Sequence, residues 1–206
     1  MSYSEFSLED VLEQFQLQLQ ERENLFASIA AVPLGSLLRD VLAEYVPLAL
    51  AISTEKARSE LIVSPILVEV RRQAGHKISL FSGINFNVDA AQGLHGVCDF
   101  LLSLLPEQLL LQAPIVAVVE AKNDNLKSVL GQCVAEMVAA RLFNQRKGRD
   151  IATVYGVVTT GSLWRFMELT ADIVSLDLRE YHISEVENIV GILLHMVRHP
   201  LDAPRA

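Results

Sequence analysis

His95–Lys122 reads HGVCDFLLSLLPEQLLLQAPIVAVVEAK, and the fold of the chain turns on this stretch. Val97–Leu102 and Ile115–Val119 have the length and apolar content of buried strands. Each carries charge where a buried strand should have none: Asp99 in the first, and Glu120-Ala121-Lys122 closing the second. Side chains alternate along a strand, so Glu120 and Lys122 are expected on one face. Burying an ionised side chain there is costly unless it is paired or binds a metal. Two carboxylates and an ammonium converging at strand ends therefore predict a site. The bland alternative is a same-face ion pair of Glu120 and Lys122 with Asp99 as a further partner.

Upstream, residues 7–30 (SLEDVLEQFQLQLQERENLFASIA) place Leu12, Phe15, Leu19, Phe26 and Ile29 at helical spacing. With Ser7 as N-cap and Glu9 and Asp10 in the first turn, this predicts one amphipathic helix. It would either lie on its own domain or form a short coiled-coil dimer. Pro33-Leu34-Gly35 breaks the pattern, and a second helix is expected over Ser36–Leu50, bent at Pro47. A third is expected over Thr54–Gln73, with Thr54 as cap, a kink at Pro65 and a stop at Gly75. Leu61, Ile62, Ile66 and Val70 form its apolar face; Glu60 lies beside that face, with Glu55 and Glu69 as rival acids.

Lys77–Phe81 and Asn85–Val88 are expected as two strands joined by a hairpin-like turn at Ser82-Gly83. Beyond the opening stretch come a polar turn at Asn123–Leu126 and a helix over Ser128–Asn144, ended by Arg146-Lys147-Gly148-Arg149. Strands follow at Thr153–Thr159, Leu163–Glu168 and Ile173–Leu178, then a helix over Ser184–Val197 capped by Ser184. The order predicts an α/β (α+β) fold with a central mixed sheet flanked by helices.

Asp99 in one strand, Glu120-Ala121-Lys122 at the end of the next, an acid-bearing helix before the sheet and a long helix after it resemble the PD-(D/E)XK nuclease superfamily. Cys98 stands where that pattern often has proline. The resemblance implies a restriction-endonuclease-like core over residues 53–206, preceded by an N-terminal helical extension over 1–52. It also implies hydrolysis of phosphodiester bonds, most naturally in DNA, with Mg²⁺ or Mn²⁺ held by Asp99, Glu120, the Ala121 carbonyl and Glu60. Lys122 would orient or deprotonate the attacking water, and Gln132, early in the following helix, would orient groups or contact phosphate. A homodimer is expected, since many enzymes of this fold cut both strands as pairs. The competing expectation is a catalytically silent fold serving as a binding or assembly module.

Composition narrows these readings. The chain has 206 residues, 51% of them hydrophobic, and a mean hydropathy of +0.32, so a large core or a subunit interface is expected. No apolar run approaches the roughly 18 residues that span a bilayer. The acidic MSYSEFSLEDVLEQ has neither the basic nor the apolar region of a signal peptide, which predicts a cytoplasmic protein with no membrane partner. A net charge of −8 argues against a broad nonspecific grip on nucleic acid. Local basic clusters do occur at Arg71, Arg72 and Lys77, and at Lys127, Arg141, Arg146, Lys147 and Arg149. Cys98 and Cys133 are expected as core thiols, Trp164 as core, and His195 with His199 as a helix-terminal pair rather than a zinc set. A Gly-rich phosphate loop, a G-x-S-x-G elbow and a dinucleotide fingerprint are all missing from the sequence.

Overall fold

The computed structural model describes residues 1–122 and 129–198. A 3-10 turn (Tyr3–Glu5) leads into α1 (Leu8–Gln14), whose N-cap Ser7 accepts from the Asp10 N–H at 3.1 Å. The single helix expected over 7–30 stops there. Gln16 adopts a left-handed backbone (φ 54°), and the chain turns into strand β1 (Gln18–Arg22). Leu12, Phe15 and Leu19 pack against the chain's own core, and Phe26 meets Phe166 edge-on at 5.8 Å. The side chains expected to form a coiled-coil stripe are therefore used within the chain.

Helix α2 (Ser36–Ile52) carries Pro47 in its interior. Helix α3 (Glu55–Arg58) is capped by Thr54, which accepts from the Ala57 N–H. It runs through a wide π turn (Ser59–Val63) into α4 (Ser64–Gln73). The disturbance expected at Pro65 takes this form: Ser64 donates five residues back to Ser59, and Pro65 enters near the start of a fresh segment. There its missing N–H has no helical partner to lose.

Strand β2 (Ser79–Asn85) is continuous, which corrects the expected turn at Ser82-Gly83. Gly83 takes φ +62°, a backbone that only glycine adopts at no cost, and pairing resumes on either side of it (Ser82↔Phe100, Ile84↔Cys98). The reversal comes later, over residues 86–96, where an Asp89↔Leu94 bridge frames the loop before β3 (Val97–Ser103). Then follow β4 (Ile115–Ala121), α5 (Leu130–Arg146), β5 (Thr153–Thr159), β6 (Leu163–Thr170), β7 (Ile173–Asp177) and β8 (Tyr181–His182). Helix α6 (Val186–Arg198) ends the described chain. A 3-10 turn over Ile183–Glu185 precedes it, and His182, not Ser184, caps that turn.

The strands form one mixed eight-stranded sheet in the order β1-β7-β6-β5-β4-β3-β2, with β8 beside β6. Strands β2, β3 and β4 are antiparallel neighbours, and β4 pairs with β5 in parallel. Adjacent residues of β5 point to opposite faces. A Cβ on Gly156 would meet Met137 and Cys133 of α5, while the Tyr155 ring meets His195 of α6. So α5 and α6 cover opposite faces of the sheet.

Helix α5 is covered a second time. A Cβ on Gly131 would lie 2.3 Å from the Ser7 backbone, so the N-terminal segment rests directly on its first turn. Leu130 through Ala140 are consequently buried without a break, which accounts for a helix apolar on nearly every side. A single hydrophobic cluster runs from Tyr3 to Val197 and includes residues from both sides of the boundary expected at position 52. Among the described residues no helix is long and apolar enough to cross a membrane.

Candidate functional site

The β3–β4 register sets Asp99 and Glu120 face to face. The paired residues run Leu102↔Ala117, Leu101↔Val118 and Phe100↔Val119, and one step further places Asp99 opposite Glu120. At that step the side chains take over hydrogen bonds to the backbone. The Ala121 N–H donates to Asp99 Oδ2 at 2.8 Å, and the Asp99 N–H donates to Glu120 Oε1 at 3.3 Å. Each carboxylate thus holds the other strand's backbone.

Glu120 is 1% exposed and faces α5. Gln132, in the first turn of that helix, donates from Nε2 to Glu120 Oε2 at 2.6 Å. The same nitrogen donates to Glu136 Oε1 at 3.1 Å. Glu136 is fully buried, four residues along α5 from Gln132, and the sequence reading missed it. Its signal was a glutamate in an otherwise apolar and alanine-rich helical run, VAEMVAA, spaced i, i+4 from a glutamine already singled out.

Lys122 continues the parallel ladder, its N–H donating to the Thr159 carbonyl at 2.8 Å. Its Nζ lies 3.6 Å from Glu55 Oε1. Of the three helical acids weighed upstream, Glu55 is the one placed beside the strand-end charges. Glu60 is exposed and paired with Lys56 at 2.7 Å. Glu69 is buried away from the site, accepting from Arg72, Gln73 and the Gly35 N–H at the start of α2. The fold therefore joins Asp99, Glu120, Ala121, Lys122 and Gln132, and turns Glu60 toward Lys56.

Burial governs the electrostatics. Desolvation raises the Asp99 pKa from its ordinary value, opposed by the Ala121 N–H and by Lys122. Glu120 is raised by burial first and by the Asp99 charge second. Glu136 is raised too, by burial first and then by the neighbouring Glu120. Among the described residues no group of three or more acid, thiol or imidazole side chains is disposed to hold a metal ion.

The cysteines are buried thiols, both pushed up chiefly by burial, with Cys98 beside Glu136. Trp164 is core, its indole donating to the Gly161 carbonyl at 3.0 Å. Much of the basic clusters is engaged within the chain: Arg72 with Glu69, Arg141 with Asp172 and Arg146 with Asp89. Lys127, His199 and the expected turn at 123–126 lie outside the described residues.

No protein-family model matches the chain, and no curated protein matches it.

Proposed function

We propose that the chain is a metal-dependent nuclease-like hydrolase acting on phosphodiester bonds, with DNA as its substrate and Asp99, Glu120 and Lys122 as its centre. The observation that carries this reading is the exchange between Asp99 and Glu120, which fixes two carboxylates side by side with Lys122 next along the strand. The order α4, three antiparallel strands, α5 and a parallel strand supports it as the core of a restriction-endonuclease-like fold.

The donors fit Mg²⁺ or Mn²⁺ by type. Asp99, Glu120 and the Ala121 carbonyl offer only hard oxygens, and Mg²⁺ commonly takes one or two carboxylates while keeping several waters. Glu55 stands nearer this set than Glu60 and is the better helical contributor to the outer shell. A divalent ion bound there would supply charge neutralisation for the phosphate and a coordinated water of lowered pKa.

The chain's own residues do the remaining work. Asp99 and Glu120 supply fixed negative charge whose orientation is set by backbone N–H groups. Gln132 holds the far oxygen of Glu120. Lys122 Nζ, released from Glu55, orients the attacking water and stabilises developing charge on the phosphate. Cleavage of both strands of a duplex would come from a homodimer, and a cytoplasmic location fits such a substrate.

A specific observation favours a second reading, a silent assembly module. Glu120 is almost fully buried and has both oxygens engaged, and Lys122 has Glu55 as a partner. Incubating the protein with plasmid, linear and single-stranded DNA in Mg²⁺, Mn²⁺ or EDTA decides between them. The nuclease reading expects metal-dependent cleavage that Lys122→Ala abolishes. Cleavage that survives Lys122→Ala, or none on any substrate, sinks it.

A further inference from the structure

Glu136 is the one wholly buried carboxylate on α5; it lies against Glu120 and Cys98, and its Oε2 has no well-formed hydrogen bond. Nothing in packing demands a carboxylate there. Burial and the Glu120 charge both oppose ionisation of Glu136, so an apolar side chain of similar volume would sit there at no electrostatic cost, and the neighbouring helix positions are Ala135, Met137 and Val138. What Glu136 does hold is the Gln132 amide. The two Nε2 hydrogens are divided between Glu120 Oε2 and Glu136 Oε1, at 2.6 and 3.1 Å. The i, i+4 spacing places both side chains on one helix face, so the amide has a fixed donor direction toward β4. Without Glu136 the amide would be free to turn away. Glu120 would then be held through Oε1 alone, by the longer 3.3 Å bond from the Asp99 N–H.

We infer that Glu136 is a positioning residue for Glu120, acting through Gln132 to aim the Glu120 carboxylate at a bound divalent cation. This rests on the reading of Asp99 and Glu120 as cation ligands. Residues that orient metal ligands typically change affinity 10–100-fold when removed, and the same range is expected here. Stability should move the other way, because Glu136→Met removes a buried, unsatisfied oxygen.

The test is a calorimetric Mn²⁺ titration and a thermal melt of the wild type, Glu136→Met, Glu136→Gln and Gln132→Ala. Glu136→Met should bind Mn²⁺ about 10–100-fold more weakly while melting at or above the wild-type temperature. Glu136→Gln keeps an oxygen for the Gln132 amide and should recover most of the affinity. Equal affinity in wild type and Glu136→Met overturns the inference alone. Parallel loss of affinity and stability, unrecovered by Glu136→Gln, overturns it too. A wild type that binds no Mn²⁺ removes the cation reading and the inference with it. A cation-free readout stands beside these. The two Gln132 side-chain amide protons should resonate away from the ordinary glutamine region and exchange slowly with solvent in the wild type, and return to that region and exchange faster in Glu136→Met. Ordinary, fast-exchanging Gln132 amide protons in the wild type contradict the clamp whatever the metal does.

Discussion

Asp99 and Glu120 stand opposite each other where the β3–β4 ladder ends, and each accepts a backbone N–H from the other's strand, Ala121 to Asp99 at 2.8 Å and Asp99 to Glu120 at 3.3 Å. Two buried carboxylates brought together in this way repel each other. The arrangement persists because main-chain donors and the nearby Lys122 offset part of the cost. A cation between them would offset more.

On the nuclease reading, Lys122 should separate binding from chemistry. Lys122→Met removes the ammonium but leaves every carboxylate, so Mn²⁺ affinity should change little. The cleavage rate should fall about 10²–10⁴-fold, the usual contribution of a positioned proton-transfer group. Single-turnover cleavage assays beside calorimetry check both halves.

Glu69 should make the fold sensitive to acid. Arg72 hydrogen bonding, aided by Gln73 and the Gly35 N–H, holds its carboxyl down at about 2 against the opposing effect of burial. A depressed pKa in the folded state means stability that is present above the unfolded value of about 4.3 and is lost as pH falls toward the folded one. Denaturant titrations from pH 5 to pH 2 should show a loss of about 2 kcal/mol from this group, largely missing in Glu69→Gln.

Gly131 should tolerate no side chain. Its Cβ position lies 2.3–2.6 Å from backbone atoms of Phe6, Ser7 and Leu8. Gly131→Ala must push the N-terminal segment off α5, at a cost of about 1–3 kcal/mol. Thermal melts and faster proteolysis near residues 3–14 report it.

Asn144 closes the start of β4. Its buried amide accepts from the Ile115 N–H at 2.7 Å and donates to the Ile115 carbonyl at 2.8 Å, standing in for a strand neighbour. Asn144→Ala strands both groups and should cost about 2–4 kcal/mol in denaturant unfolding.

The legible part of the fold was the part with strong local signals. β3, β4, β5 and α5 read directly from apolar runs and helix-forming composition, and Asp99, Glu120 and Lys122 stood out because charge interrupts those runs. β1 did not read, because Phe15 and Leu19 satisfy two periods at once. Within FQLQLQ the apolar residues alternate strictly, a strand pattern, and the 3–4 spacing of a longer window masked it. Ser82-Gly83 was read as a turn because glycine between two strand-like runs usually marks one; here Gly83 takes its positive φ within a strand that continues through it. Glu60 was favoured over Glu55 because it sits beside an apolar face, but Lys56, one helical turn back, takes its charge at the surface. Glu136 was hidden because α5 is apolar or alanine on nearly every side, so periodicity marks no inner face on which a glutamate would stand out.

The most direct check on the site is a calorimetric titration of Mn²⁺ into the wild type and into Asp99→Asn. The asparagine keeps an oxygen for the Ala121 N–H, so the strand pairing survives and only the charge is lost. Saturable wild-type binding that drops at least tenfold in Asp99→Asn, with melting temperature unchanged or raised in the absence of metal, is the predicted result. No binding by the wild type, or equal binding by both, would contradict the assignment of Asp99 and Glu120 as a cation site.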